Sequence, residues 1–76
     1  ESKYFIYASV NKFTNEMFQL FWTSSELSTG IKTYNELGLN IFKYYKIQSP
    51  NKNQNGPYSN EYIKYMINTK QIKEIN

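Results

Sequence analysis

The sequence contains no cysteine, histidine, aspartate or arginine. Without cysteine the protein has no disulfide framework and no thiolate zinc site. Without histidine it lacks the commonest general base and the commonest transition-metal ligand. The joint absence of aspartate and histidine excludes a Ser-His-Asp triad and an EF-hand calcium loop. We therefore expect a protein that is not an enzyme, holds no metal and needs no cofactor.

Long apolar runs are also absent from the sequence. No stretch approaches the roughly 18 apolar residues of a membrane span, and no signal peptide is recognisable. We therefore expect a cytoplasmic protein without membrane contact. The chain begins at Glu1 rather than Met, so a processed or excised chain, and with it secretion, stays open.

The length of 76 residues predicts a single small domain spanning residues 1–76. A chain of this size buries only about 60% of its unfolded surface, which leaves room for one core. The composition, with 39% apolar and 18% aromatic residues, is rich enough for a packed fold and too rich for a disordered tail.

The net charge of +3 comes from nine lysines and six glutamates. A basic domain suggests nucleic acid or an anionic surface as a partner. The lysines, however, accompany an excess of asparagine, isoleucine and tyrosine, which adenine- and thymine-rich codons encode. The absence of arginine also counts against reading of guanine bases. The charge is therefore a weak indicator of nucleic-acid binding.

Residues 3–23 predict an antiparallel β-hairpin. Residues 3–10 and 16–23 are rich in strand-forming residues of alternating character, and the polar segment 11–15 between them suits a turn. Both faces of this hairpin carry aromatic rings. Ile6, Ala8 and Val10 share one face of the first strand with Tyr4, whereas Phe5 and Tyr7 lie on the other. In the second strand, strict alternation sets Phe18, Leu20 and Trp22 against Met17, Gln19 and Phe21.

Residues 23–32 allow two interpretations. Thr23 and Glu26 fit a capping box, which would start a helix that Gly30 ends after fewer than two turns. Alternatively, a loop leads into a short third strand near Ile31. We favour a loop or a short helix.

The next segment predicts a longer helix over residues 34–47. Thr33 and Glu36 form a second capping box. Behind it, residues recur at helical spacing: Tyr34, Leu37, Ile41, Tyr44 and Gln48. Either one helix runs through Gly38 at a cost of about 1 kcal/mol, or Gly38 marks a turn between two shorter helices.

Residues 49–58 predict a loop, because Pro50, Asn55-Gly56 and Pro57 disfavour regular structure. Ser59 can then cap a C-terminal helix over residues 60–74, with Glu61 in its first turn. The expected fold class is α+β: an N-terminal antiparallel β-hairpin, or a three-stranded sheet if a strand forms near Ile31, packed against two α-helices.

Two short stretches resemble DNA-binding families. Lys43-Tyr44-Tyr45, Asn55-Gly56 and the segment 58–63 are loosely similar to the helix, wing and return helix of MerR-like and excisionase-like winged domains. The hairpin followed by the segment 30–37 is similar to the N-terminal arm-binding domain of phage-type integrases. There a small sheet precedes a glycine-aromatic-Lys-Thr step into a helix. Both resemblances imply DNA binding.

The sequence thus predicts a small non-enzymatic binding module of a phage-like genome or mobile element. Nucleic acid is the favoured partner, through stacking of bases on aromatic rings beside a lysine rim. The alternative is a protein-interaction module, such as an inhibitor, adaptor or small subunit, that docks through the aromatic hairpin and can form a homodimer through it. The candidate binding residues are Phe5, Tyr7, Lys12, Trp22, Lys32, Lys43 and Lys46.

Overall fold

A computed structural model describes residues 4–49 and 58–75. The chain forms an α+β fold with four strands and two helices in these residues, which confirms the expected fold class. In chain order the elements are β1 Tyr4–Asn11, β2 Met17–Phe21, α1 Ser24–Glu36, β3 Phe42–Ser49, α2 Asn60–Asn68 and β4 Lys73–Ile75. None of these described helices is long and apolar enough to cross a membrane.

The four strands form one sheet in the order β2-β1-β3-β4, with every neighbouring pair antiparallel. Because β2 and β3 both run against β1, they are parallel to each other. Helix α1 connects them across β1, which makes a split β-α-β unit. The β1–β3 pairing is the longest and runs without interruption from Tyr4↔Ser49 to Asn11↔Phe42.

The predicted hairpin is confirmed, and its turn is fixed by asparagine side chains. Asn11 Oδ1 accepts hydrogen bonds from the backbone N–H groups of Phe13 (2.8 Å) and Thr14 (3.1 Å). Asn15 takes the left-handed conformation, with φ 61°, which asparagine tolerates better than most residues. Its N–H then donates to Asn11 O at 2.8 Å, which closes the turn.

Helix α1 begins at the first of the two capping boxes. Thr23 is the N-cap and accepts from Glu26 N at 3.1 Å, while Glu26 Oε1 accepts from Trp22 N at 2.8 Å. The prediction of a loop or short helix here is wrong, as is the third strand near Ile31, because the helix continues to Glu36. Gly30 lies inside it and does not end it.

The predicted helix over residues 34–47 is also wrong. Gly38 has φ 75°, and its N–H donates to Asn35 O (3.1 Å) while Leu39 N–H donates to Tyr34 O (2.8 Å). These two bonds form a Schellman motif that terminates α1. Residues 42–49 then form strand β3, so the helix that the winged-domain resemblance implies over Lys43-Tyr44-Tyr45 is wrong. The helix start at Thr33 that the integrase resemblance implies is also wrong, because Thr33 lies inside α1.

The C-terminal helix begins as predicted but is shorter. Ser59 caps α2 by accepting from Tyr62 N at 3.2 Å, and the helix ends at Asn68 rather than continuing to residue 74. Lys70 has φ 58°, and residues 73–75 form β4 on the edge of the sheet. Of the predicted loop 49–58, Ser49 belongs to β3 and residues 50–57 lie outside the described residues.

Each face of the sheet packs against one helix. On one face, Ile6, Ala8 and Val10 of β1 are fully buried together with Ile63 of α2. On the other, Phe21 packs with side chains of α1, principally Leu27 and Tyr34. The aromatic rings on both faces of the hairpin are therefore largely accounted for by the two helices, α2 on one face and α1 on the other.

Candidate interaction surface

Four aromatic rings cluster on the α1 side of the sheet. Tyr34 lies at the centre, with ring centroids 4.8 Å from Phe42, 5.9 Å from Phe18 and 6.3 Å from Tyr44. Phe18 and Phe42 are 4.9 Å apart. Rings at these separations contribute favourable pair interactions beyond their buried area. The four rings therefore hold one another in place on this face of the sheet.

A β-bulge aims Phe18 at this cluster. The β1–β2 register shifts between Ser9, which faces Gln19, and Val10, which faces Met17, so Phe18 is the extra residue. Strict alternation predicted that Phe18 shares a face with Leu20 and Trp22. This prediction is wrong for Phe18, because a bulged residue departs from the period of two. Leu20 packs in the opposite core, on the α2 side.

The hydroxyl of Tyr34 makes the polar contacts beneath the rings. Tyr34 Oη donates to Gln19 Oε1 at 2.9 Å and lies 3.3 Å from Oγ of Ser9, which is fully buried. The hydroxyl of the neighbouring Tyr44 is less acidic than usual. Burial, and secondarily the proximity of Tyr34, raises the pKa of Tyr44 above its usual value. Tyr44 therefore stays protonated to more alkaline pH than a solvated tyrosine.

Around the cluster, one end of the molecule exposes a group of large apolar side chains, which we call the end patch. Three segments meet there: the hairpin turn with the start of β2, the end of α1, and the residue before β3. The members and their exposed fractions are Phe13 (75%), Phe18 (59%), Leu37 (67%), Leu39 (37%) and Ile41 (38%). A solvated phenylalanine offers about 150–250 Å², so Phe13 and Phe18 alone expose on the order of 200–300 Å².

Two backbone features hold these segments together. The Schellman motif at Gly38 turns the chain from α1 towards β3, which leaves Leu37 and Leu39 on either side of the glycine. Lys12 N–H donates to Ile41 O at 2.8 Å, which ties the hairpin tip to the segment before β3. The end patch is therefore a consequence of how α1 ends and how β3 begins.

The charges around the end patch are mixed. On one side, Lys12 is exposed and its Nζ lies 5.4 Å from the ring centroid of Phe13. On the other side, the last turn of α1 contains no basic residue and carries the exposed Glu36. The last turn of α1 therefore offers no cation of its own to offset the partial negative charge of the helix C-terminus.

The predicted binding residues do not form one surface. Phe5 and Lys46 lie together, with Lys46 Nζ 4.2 Å from the ring centroid of Phe5, and Tyr7 faces Lys46 in the register of β1 and β3. Tyr7 is half-buried against the core under α1. Lys43 lies three residues before Lys46 on the same strand, so it points to the opposite face, where its Nζ is 5.8 Å from the ring of Tyr45.

The remaining three predicted binding residues lie apart from Phe5 and Lys46. Trp22 follows β2 and is exposed, with its ring centroid 6.1 Å from that of Tyr58 on the α2 side. Lys32 is exposed on α1, and Lys12 occupies the hairpin turn. Of the predicted residues, only Lys12 lies at the end patch.

Sequence reasoning missed all five members of the end patch. The predicted helix 34–47 includes Leu37 and Ile41 in its stripe. Strict alternation puts Phe18 on the same strand face as Leu20, whereas the structure puts it on the opposite face. One signal could have found Leu37, Leu39 and Ile41: Gly38 lies at the position of a C-terminal glycine for a helix capped by Thr23. A helix that ends at this glycine leaves residues 39–41 outside it.

A concavity of about 510 Å³ lies between β2 and α1. Several of its polar side chains are already engaged: Gln19 Oε1 accepts from Tyr34 Oη, Glu26 Oε1 accepts from Trp22 N–H, and Thr33 Oγ1 donates to Thr29 O at 2.9 Å. Within residues 4–49 and 58–75, no group of three or more carboxylates is placed to hold a metal ion.

Comparison with known proteins identifies no relative of this chain. The chain matches no family model, no curated protein and no solved structure. The functional argument therefore depends on the surface itself.

Proposed function

We propose that this protein is a non-enzymatic protein-binding module that docks through the end patch. The observation that carries the proposal is the convergence of exposed apolar side chains from three chain segments at one end of the sheet. Single exposed apolar residues are ordinary on protein surfaces, whereas a contiguous group of several hundred Å² marks an interaction site. Aromatic side chains are also enriched in protein interfaces.

The end patch is partly ordered before any partner binds. Phe18 packs against Phe42 and Tyr34, which themselves belong to the aromatic cluster. Binding to a side chain that is already held loses less conformational entropy than binding to a free one. Phe18 is therefore suited to act as an anchor, with the more exposed Phe13 and Leu37 around it.

On the α1 side of the end patch, electrostatics favour a protein over a nucleic acid, whereas Lys12 lies on the other side. The C-terminus of α1 presents partial negative charge beside Leu37, and Glu36 adds a full charge there. Phosphate groups are repelled by both. An apolar protein surface meets no such penalty, because its contact with the rings is insensitive to the sign of a neighbouring charge.

The test is affinity capture from the source cells with matched surface variants. Phe13→Ser and Leu37→Ser remove exposed apolar surface from the end patch, and Tyr65→Ser removes a side chain that is 58% exposed on α2. We expect a protein that is captured by the wild type and by Tyr65→Ser but lost by the patch variants. With that protein purified, each patch variant should weaken the Kd about tenfold or more, the loss expected of an interface anchor. Equal capture by all three variants contradicts the proposal.

Nucleic-acid binding is the second candidate, and one observation favours it. Lys46 and Lys73 face each other across β3 and β4, and Lys46 stands over the ring of Phe5. Like charges directly opposite each other destabilise a sheet, so a bound phosphate would reduce the repulsion between these two lysines. The resulting site is a cation pair beside a ring at the β4 edge, away from the end patch.

Fluorescence anisotropy with labelled duplex and single-stranded DNA tests the second candidate. Binding should fall steeply between about 50 and 200 mM salt, because each neutralised phosphate releases counterions. Lys46→Gln with Lys73→Gln should remove it, and Lys70→Gln, an exposed lysine outside the pair, should have a smaller effect. Absence of binding to either DNA at low salt eliminates this candidate.

A further inference from the structure

The end patch is complementary to itself in charge. One side carries the cation Lys12 beside Phe13. The other carries Glu36 and the C-terminus of α1, whose last turn contains no basic residue, beside Leu37. A partner with only one sign of charge would satisfy one side and oppose the other. A surface with the same arrangement, turned through 180°, satisfies both sides at once.

We infer that the partner of the end patch is a second copy of this chain, bound about a two-fold axis. The inference rests on the proposed protein-binding function and names its partner. In such an interface the same surface is used by both copies, and a contact between residues i and j occurs twice. Lys12 of each copy therefore faces Glu36 and the α1 C-terminus of the other, while the apolar side chains meet at the axis.

The available area fits a weak dimer. A standard interface buries about 800 Å² per partner, which is about 15% of the 5296 Å² surface of this chain. The two phenylalanines supply on the order of 200–300 Å² of apolar area, and Leu37, Leu39 and Ile41 add to it. The total lies at the low end of the areas that specific interfaces bury, and we expect a dissociation constant of about micromolar size.

The exposed edge of β2 is an unsuitable place for the two copies to join. The bulge at Phe18 interrupts this edge strand, and Met17 N–H already donates to Asn60 Oδ1 at 2.6 Å. Bulges and occupied edge groups are the means by which proteins prevent strand-to-strand association. The copies are therefore expected to meet through side chains at the end of the sheet and not by pairing of their β2 edges.

Sedimentation equilibrium over about 1–500 µM protein, a range that spans micromolar dissociation constants, tests the inference. We expect a monomer–dimer equilibrium for the wild type and for Tyr65→Ser. Phe13→Ser with Leu37→Ser should abolish the dimer. Lys12→Glu and Glu36→Lys should each weaken it about tenfold, because each reverses two symmetry-related contacts. The double variant Lys12→Glu/Glu36→Lys restores opposite side-chain charges and should recover most of the lost affinity. A deficit should remain, because residue 12 then faces the partial negative charge of the α1 C-terminus.

Circular dichroism of each variant separates loss of the dimer from loss of the fold. Glu36→Lys places a cation at a helix C-terminus, so it should leave α1 intact or more stable. A wild type that stays monomeric throughout the concentration range overturns the inference, as does a dimer that is unaffected by the patch variants or that the charge swap does not restore. If the wild type is monomeric but capture from cells still depends on Phe13 and Leu37, the proposed function stands and only the identity of the partner is wrong.

Discussion

Gly30 of α1 lies directly against the ring of Phe21 in β2. A Cβ atom at Gly30 would lie 2.6 Å from both Cε1 and Cζ of that ring, and Phe21 is only 4% exposed. Glycine inside a helix normally costs about 1 kcal/mol relative to alanine. Here it allows α1 to approach the sheet closely enough to bury Phe21. The position of the helix over β1 and β2 depends on this contact.

We expect Gly30→Ala to destabilise the protein despite the better helix propensity of alanine. Displacing a ring in a packed core costs about 1–3 kcal/mol, which exceeds the propensity gain, so the free energy of unfolding should fall by about 1 kcal/mol. Urea denaturation followed by circular dichroism measures this change. In a Phe21→Leu background the clash is relieved, and Gly30→Ala should become neutral or stabilising. A stabilising effect in the wild-type background contradicts the prediction.

The two candidate helix starts give opposite expectations for two threonines. Thr23→Ala removes the N-cap of α1 and should lower the free energy of unfolding by about 1 kcal/mol. Thr33 lies inside the helix with its hydroxyl bonded to Thr29 O, so Thr33→Ala should be within about 0.5 kcal/mol of the wild type. Urea denaturation of both variants tests this. The reverse order of effects would place the helix start at Thr33.

The hydroxyl of Tyr34 is expected to stabilise the fold independently of its ring. Tyr34→Phe keeps the aromatic contacts but removes the hydrogen bond to Gln19 and the polar neighbour of the buried Ser9. Loss of a buried hydrogen-bond partner costs about 1–2 kcal/mol, and chemical denaturation should show this decrease. The matched control is Tyr65→Phe on the exposed surface of α2, which should change stability by less than about 0.5 kcal/mol. Equal stability of the two variants would refute this role for Tyr34.

The raised pKa of Tyr44 predicts a loss of stability at alkaline pH. A tyrosine whose pKa is higher in the folded than in the unfolded state keeps its proton better when folded. Its contribution is fully present below the unfolded pKa of about 10 and is lost as the pH rises through the folded value. We expect the free energy of unfolding to decrease above about pH 10, and to decrease less steeply in Tyr44→Phe. Denaturation series at several pH values, with Tyr65→Phe as the control, measure both slopes. Identical slopes in the wild type and Tyr44→Phe would exclude this role.

The parts of the fold that were predictable are those fixed by neighbouring residues. The hairpin follows from two strand-forming runs around an asparagine-containing turn, and Asn11 and Asn15 act through bonds within that turn. Likewise, Ser59 caps α2 through a bond to Tyr62, three residues away. Such signals need no knowledge of the rest of the chain.

The middle of the chain was not predictable in the same way, because its residues fit two local patterns that exclude each other. Capping boxes begin at both Thr23 and Thr33, and both satisfy the same spacing rule. Residues 42–48 fit a helical stripe, but they also alternate between buried Tyr45 and Ile47 and exposed Lys46 and Gln48. Aromatic and β-branched residues favour the strand, yet only the pairing with β1 decides between the two patterns.

The composition and short-range pattern of this sequence thus determined an α+β fold, an N-terminal hairpin and the cap of the last helix. Tertiary structure alone decided that residues 42–49 pair with β1, that α1 and α2 cover opposite faces of the sheet, and that apolar side chains remain exposed at its end. The physical reason is that strand pairing and burial depend on residues far apart in sequence. A leucine or phenylalanine has the same local signature whether it enters the core or, as at Leu37 and Phe13, stays in solvent.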